Sequence, residues 1–494
     1  MLFNSYEFIF IFLPITFFVY FYLNKKRLTE ASKGFLVFSS LFFYSWWNVE
    51  YLPLILSSML FNYVIGKSLA KGGATKVRLS TSPKGASRKG LLSIAIAANL
   101  ALLGYFKYSD FLIGNINYAL STNASLLNLA LPLAISFFTF QQIAYLVDSY
   151  RRETKEYDFL NYAIFVTFFP QLIAGPIVHH KEMMPQFASN RTKLINYKNV
   201  ALGLFIFSIG LFKKVVIADT FSVWANAGFD TAETLNLFAA WATSLSYTIQ
   251  LYFDFSGYTD MAIGLALLFN IKLPVNFNSP YKATNIQDFW RRWHITLSRF
   301  LRDYIYIPLG GNKSGSFRTY TNLMATFVLG GLWHGAGWTF VFWGLLHGLA
   351  LVIHRLWSKL GIRLWRWVAW FVTFNFINVA WVFFRAKEWN DAMRVLEGMV
   401  GFSGVVLKDK YEKYMPSYDF ITFGEVTQYI GGGSSIITWM LVTFIVMLSC
   451  ENSVEKMKRF LPTTRTSFIS SATITVGLIY MSLHEVSDFL YFNF

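Results

Sequence analysis

The stretch Val328-Leu-Gly-Gly-Leu-Trp-His-Gly-Ala-Gly-Trp-Thr-Phe340 decides what kind of molecule this is. It carries no charged residue and belongs to an apolar run over 321–343, which meets the roughly 20 residues a helix needs to cross a bilayer. Yet it holds a histidine, His334, between Gly330, Gly331, Gly335 and Gly337. Polar groups at membrane depth line a functional path or pair with one another, because desolvation there is costly. Two readings of His334 follow, a general base near neutral pH and a helix-packing histidine satisfied by a backbone carbonyl. The run by itself leaves both open.

Composition extends the membrane reading to the whole chain. Of 494 residues, 55% are hydrophobic, 19% aromatic and 14% charged, with 52 Phe and a mean hydropathy of +0.42. A soluble domain carries about 25% charged residues, so too little polar surface exists to face water, and the chain reads as a polytopic membrane protein. The net charge of +16 would suggest nucleic acid in a soluble chain. In a membrane protein it marks cytoplasmic loops, and no nucleic-acid partner is expected. The single cysteine, Cys450, excludes intramolecular disulfides and thiolate metal cages. No basic n-region precedes the first apolar run and no small-residue cleavage site follows it, so that run is expected to stay as a helix.

Apolar runs recur at 8–23, 35–49, 51–66, 91–106, 126–147, 161–178, 200–218, 236–253, 255–271, 321–343, 345–356, 364–384, 436–450 and 468–483. Several are too short to span. Pro170, Gly175 and Pro176, and Gly257 and Gly264, interrupt 161–178 and 255–271, and non-helical backbone at membrane depth is tolerated only inside protein or along a cavity. The expectation is about 11 spans, with re-entrant pieces around an internal cavity. The basic clusters Lys25–Lys33 and 67–89, separated by two helices, place both on the cytoplasmic side with the N-terminus outside. The segment 67–89 itself reads as a solvated linker. The segment 386–435 reads as a large loop.

The segment 276–320 differs in kind, interleaving Arg291, Arg292, Arg299 and Arg302 with Trp290, Trp293, Phe300 and Tyr304. At about 100° per residue, Phe289, Trp293, Leu297, Phe300, Leu301 and Tyr304 share one face and the arginines another. That predicts an amphipathic helix at the cytoplasmic interface or in a funnel mouth, with His294 on the border.

The remaining polar residues separate into candidates and decoys. Glycines around His334 let other backbone, or a thin acyl chain and its carrier, approach its ring. An interfacial His294 beside tryptophans is ordinary. His347 and His354 share a helix face without a third ligand and read as polar pairing. His179 and His180 border a probable loop and read as solvated. His484-Glu-Val-Ser-Asp488 fits a His-x-x-x-Asp pattern that arises easily by chance. No Gly-x-Ser-x-Gly elbow, Gly-Asp-Ser, Walker A or Gly-x-Gly-x-x-Gly occurs, which removes the usual support for a serine nucleophile, ATP-driven transport and dinucleotide chemistry. Gln141, Gln142, Gln171 and Asp260 lie in apolar runs, and Asp254 between two of them. Asp254 fits a residue that orients a histidine, binds a cation or caps a broken helix.

Several of these stretches, in order, carry a family likeness. Phe289-Trp-Arg-Arg-Trp-His-Ile-Thr-Leu-Ser298, Arg302-Asp-Tyr-Ile-Tyr306, Leu309-Gly-Gly-Asn312 and Gly330-Gly-Leu-Trp-His-Gly-Ala-Gly-Trp338, with Phe169–Ile177 and Asp254–Asp260, resemble the membrane-bound O-acyltransferase family. The nearest likeness is to its bacterial alginate and peptidoglycan O-acetyltransferase branch. The resemblance implies an all-α ring of transmembrane helices around a thinned centre where two funnels meet. It divides the chain, one transmembrane domain over 1–494, into N-terminal helices 1–160, a catalytic core 161–356 and C-terminal helices 357–494.

It further implies that His334 is the essential active-site histidine and His294 its supporting histidine. Trp290, Arg291, Arg292, Trp293, Gln171, Asp254 and Trp333 are the donor-binding or tunnel candidates, with Arg291 and Arg292 placed to attract an anionic donor. No bound cofactor or metal is expected; acetyl-CoA is the expected donor substrate. The expected partner is an extracytoplasmic acetyltransferase of the SGNH-hydrolase type, with a polysaccharide as final acceptor, in the bacterial cytoplasmic (inner) membrane and in contact with its lipids. The alternatives are D-alanyl transfer from a carrier protein to teichoic acid and a non-enzymatic polysaccharide or lipid transporter.

Overall fold

The computed structural model describes residues 1–71, 85–154, 158–414, 420–484, 487, 489 and 490. Most of the basic linker 67–89, and Glu485, Val486 and Asp488 of the His484 motif, lie outside the described residues. The N-terminal runs form α1 (Leu13–Lys25), entered through a π-turn at Phe8–Phe12, α2 (Thr29–Ser45), α3 (Leu52–Lys71) and α4 (Gly85–Leu120). Of the run 126–147 only the later part is helical, as α5 (Ile135–Tyr150). The preceding residues form an irregular loop held to α4 by Asp110, whose carboxylate accepts the N–H groups of Leu127 and Asn128 at 2.7 and 3.0 Å.

The break expected in 161–178 is present. Helix α6 (Phe159–Thr167) stops at Phe168, and the single turn α7 (Phe169–Leu172) carries Pro170 at its start. A break at this depth leaves backbone carbonyls without helical partners. Two buried glutamines meet that need, since Gln141 and Gln171 both donate Nε2–H to the carbonyl of Phe165 at 2.7 Å.

The break expected in 255–271 is absent. After α8 (His180–Ala188), α9 (Tyr197–Phe212), a π-turn at Lys213–Ala218 and α10 (Asp219–Asn226), one uninterrupted helix, α11 (Leu237–Leu268), covers both predicted runs. Gly257 and Gly264 are contact points instead. A Cβ on Gly264 would lie 2.6 Å from the Gly203 carbonyl oxygen, and one on Gly257 would lie 2.8 Å from that of Gly210. Small residues at matched spacing let α9 and α11 close to backbone contact, the usual way helices associate where lipid gives no hydrophobic drive. Almost every α11 side chain is buried, so this helix is the post around which the others stand.

The π-turn turns two lysines into that centre. Lys213 pairs with Asp260 at 2.6 Å, and Lys214 pairs with Asp254 at 2.6 Å and Asp219 at 2.9 Å. Buried charges persist only when paired; α11 provides Asp254 and Asp260, and α10 provides Asp219.

The amphipathic segment has the expected buried face but is not one helix. It is α12 (Ile286–Arg292), then α13 (Ile295–Leu301) and a π-turn at Arg302–Tyr306, broken at His294, whose φ of +42° is left-handed. The run 321–343 is likewise divided. Helix α14 (Gly315–His334) ends on the histidine, and α15 (Trp338–Lys359) begins after three intervening residues. The pair packs through Gly331 and Gly344, where a Cβ would strike the carbonyls of Phe340 and Phe327 at 2.3 and 2.4 Å.

Helix α16 (Arg366–Arg385) follows, and 386–435 turns out to be ordered in large part. It holds the amphipathic α17 (Trp389–Met399) and a short parallel ladder of β1 (Val405–Leu407) and β2 (Ile421–Phe423). Helices α18 (Gly433–Ser449), α19 (Ser453–Lys458) and α20 (Thr464–Leu483) complete the chain. Among the described residues seven helical stretches are long and apolar enough to cross a membrane. Large apolar side chains such as Phe18, Phe371 and Phe468 are exposed on them, as lipid-facing residues are. The protein is a multi-pass integral membrane protein.

Candidate active site

His334 is the last residue of α14. Its C-terminal neighbour Gly335 is extended, at φ −157° and ψ 150°, and a Cβ there would meet the Phe340 ring at 2.1 Å. The glycine is therefore what lets the chain leave the helix against Phe340. The His334 ring sits in an aromatic box, with centroids 4.8 Å from Trp333, 5.3 Å from Trp343 and 5.1 Å from Phe384.

The second histidine comes from the break between α12 and α13. The His294 and His334 ring centroids are 6.5 Å apart, and both residues are buried. A non-glycine residue in the left-handed region costs on the order of 1 kcal/mol, and here that conformation aims the imidazole inward. Asn276 fixes its orientation. The Asn276 side-chain oxygen accepts the backbone N–H of Thr296 at 3.2 Å and its hydroxyl at 2.9 Å, and lies 3.1 Å from His294 Nδ1. An atom facing a backbone N–H must be the oxygen, so Nδ1 of His294 carries the hydrogen and Nε2 the lone pair. Phe255, edge-on at 4.8 Å, holds the other side of the ring.

The other expected residues take varied places. Trp333 stacks on Phe140 at 5.0 Å beside His334. Trp290 donates its indole N–H to His347 Nδ1 at 3.2 Å, and Trp343 lies between His347 and His334 with centroids 4.6 and 5.3 Å away. Trp293 is buried between Phe289 and Trp381. Arg291 is exposed, whereas Arg292 is paired with Asp288 at 3.0 Å. Arg299 is also paired, by two contacts of 2.6 and 3.0 Å to Glu182. Gln171 and Gln141 line a cavity of about 10 Å³. Asp254 pairs with Lys214 and accepts the Leu490 N–H at 3.1 Å, a charge pair within the helix layer that is none of its three sequence readings.

Two other sequence readings are corrected. His179 and His180 are buried, not solvated. Tyr304 donates its hydroxyl to Asp148 at 2.8 Å and lies 3.1 Å from His179 Nδ1. Burial first, and then the Asp148 carboxylate, push the Tyr304 phenol above its ordinary range. His347 finds Trp290 as its partner, while His354 is only half-buried. His484 is exposed, its Nδ1 3.2 Å from the Tyr480 carbonyl.

Sequence reasoning missed Asn276, Lys107 and Tyr108. Lys107, from α4, donates to the carbonyls of Trp333 at 2.7 Å and His334 at 3.0 Å, and Tyr108 donates to that of Leu332 at 2.6 Å. Lys107 also lines a cavity of about 300 Å³, together with Tyr105, Asp110, Leu129, Gly335 and Phe340. A lysine within the long apolar helix α4 was the available signal, because such a residue needs a partner at depth.

A buried imidazole pair with aromatic walls, beside a cavity that borders Gly335, has the parts for proton transfer to or from a hydroxyl. The sequence comparisons agree with that chemistry. A family model described as MBOAT, membrane-bound O-acyltransferase family, matches residues 89–387. A peptidoglycan O-acetyltransferase of Helicobacter pylori is 48% identical across 100% of this chain and 98% of its own. The protein of Pseudomonas aeruginosa named a probable alginate O-acetylase, AlgI, is 40% identical over 81% of this chain and 75% of its own. A teichoic acid D-alanyltransferase of Bacillus subtilis is 27% identical over 53% of this chain and 71% of its own.

Proposed function

Because the chain belongs to the membrane-bound O-acyltransferase family, we propose that it carries acetyl groups across the bacterial cytoplasmic membrane for O-acetylation of an extracytoplasmic polysaccharide of the peptidoglycan or alginate type. The family makes it an O-acyltransferase. The observation that carries the finer reading is the buried pair His334 and His294, 6.5 Å apart, beside a cavity of about 300 Å³. The names of the relatives at 48% and 40% identity support acetyl as the group transferred. Teichoic acid D-alanylation has the weaker likeness, at 27% over about half the chain.

In this reading an acetyl thioester, acetyl-CoA, enters from the cytoplasmic side. An acceptor hydroxyl enters from the other. His334 takes the hydroxyl proton as the oxygen attacks the thioester carbonyl. The C–S bond then breaks, and the proton passes from the imidazolium to the leaving thiolate, giving an acetyl ester and free thiol. His294, whose ring is oriented by Asn276, positions the thioester beside His334. The acceptor is a hydroxyl of an SGNH-type partner outside the membrane, which passes the acetyl group to the polysaccharide.

The test is sidedness of transfer. Inside-out membrane vesicles given radiolabelled acetyl-CoA should place base-labile label in polysaccharide only when they contain this chain. Equal labelling in vesicles lacking it would contradict the proposal, as would labelling of sealed right-side-out vesicles alone.

A further inference from the structure

Helix α14 stops at His334, and the last carbonyls of any helix have no partner within it. A Schellman cap would normally supply one, with a glycine in the left-handed region. Here Gly335 is extended, so that cap is not made. Two consecutive residues of α4 do the work instead. Tyr108 takes the carbonyl of Leu332, and the Lys107 ammonium takes those of Trp333 and His334, at 2.6, 2.7 and 3.0 Å. The same ammonium is 3.4 Å from Ser136 Oγ on α5 and 5.9 Å from the centre of the Trp333 ring.

A lysine at membrane depth costs several kcal/mol before it finds partners, and a helix end can be satisfied by neutral donors. The location of this one is specific. It braces the two peptide groups flanking the His334 Cα, the atom from which the imidazole is hung, and it does so from the wall of the cavity of about 300 Å³ that borders Gly335 and Ala336. A cation also suits the negative end of the helix. Its three contacts join α4, α5 and α14, so the ring position of His334 is fixed by elements outside its own hairpin.

We propose that Lys107 is a positioning residue for the reaction, holding the end of α14 so that the His334 ring stays in register with His294 and with the hydroxyl entering through the cavity. This rests on the reading of His334 as the reacting imidazole. A displacement of about 1 Å at a reacting group costs on the order of 100-fold in rate, so the brace matters to turnover well before it matters to folding.

Cells expressing the full chain as wild type, Lys107→Gln, Lys107→Arg, Tyr108→Phe or His334→Ala, matched for amount in the membrane, are compared for base-released acetate. The thermal midpoint of each purified protein is measured alongside. Lys107→Gln should lose about tenfold or more while keeping its midpoint, and Lys107→Arg, which retains charge and donors, should recover most of the activity. Tyr108→Phe should lose less than Lys107→Gln. Wild-type acetate in Lys107→Gln, with none in His334→Ala, overturns the role of Lys107 and leaves the reading of His334 standing. So does a loss that follows the thermal midpoint, with Lys107→Arg no better than Lys107→Gln. Wild-type acetate in His334→Ala overturns both.

Discussion

The side-chain oxygen of Asn276 lies 3.1 Å from Nδ1 of His294 and is held in that orientation by Thr296. One asparagine thereby sets the tautomer of the histidine that faces His334. Removing such an orienting partner from a functional imidazole commonly costs about 10- to 100-fold. Asn276→Ala should reduce base-released acetate by that factor at unchanged membrane abundance. An Asn276→Ala protein as active as wild type would show that the tautomer of His294 is immaterial.

The α9–α11 interface should tolerate no added methyl. Gly257→Ala places a Cβ 2.8 Å from the Gly210 carbonyl oxygen, and overpacking of a closed contact costs about 1–3 kcal/mol. Thermal unfolding in detergent should show a lowered midpoint for Gly257→Ala. Gly114→Ala, in the interior of α4 where a Cβ meets nothing within 4 Å, should not lower the midpoint, because a mid-helix glycine is destabilising relative to alanine.

Asp254 should behave as half of a structural pair. Breaking a buried ion pair by removing one partner costs about 3–5 kcal/mol, because the other charge is left uncompensated. Lys214→Met alone should lower the thermal midpoint, and adding Asp254→Asn should regain part of it, since Asp219, the lysine's other carboxylate, stays charged and keeps the Ser487 hydroxyl. A double variant no more stable than the single one would remove the pair from the account.

Arg291 is the exposed arginine of α12, since Arg292 is engaged by Asp288. If it draws in an anionic thioester, Arg291→Gln should raise the donor concentration for half-maximal labelling in inside-out vesicles by about two- to fivefold, with the maximal rate unchanged. A fall in the maximal rate alone would place Arg291 elsewhere in the mechanism.

The fold class was legible because lipid is a demanding solvent: 14% charge over 494 residues admits little else. His334 stood out for the same reason, as a polar residue in an apolar run, whereas His294 was singled out only by the family resemblance. What could not be read was the meaning of each glycine. Gly335 ends a helix and Gly257 packs one, yet both look alike as interruptions in an apolar run, and only the facing Phe340 ring or Gly210 backbone tells them apart. The break at His294 was hidden because the apolar period continues across it, with Phe289, Trp293, Leu297 and Phe300 all buried. Partners distant in sequence were equally invisible. Lys107 reaches a carbonyl 227 positions away, and Asp254 meets a lysine on a π-turn that no periodicity announces.

The central claim is that His334 performs the transfer, and acetate content tests it most directly. Polysaccharide from cells carrying wild type, His334→Ala or no copy of the chain is treated with mild base, and the released acetate is measured with the two proteins present in the membrane at equal amounts. The account predicts that His334→Ala falls to the level of cells without the chain while its thermal midpoint stays at that of wild type. Normal acetate in the His334→Ala cells would contradict it and favour a transporter that does no chemistry at this histidine.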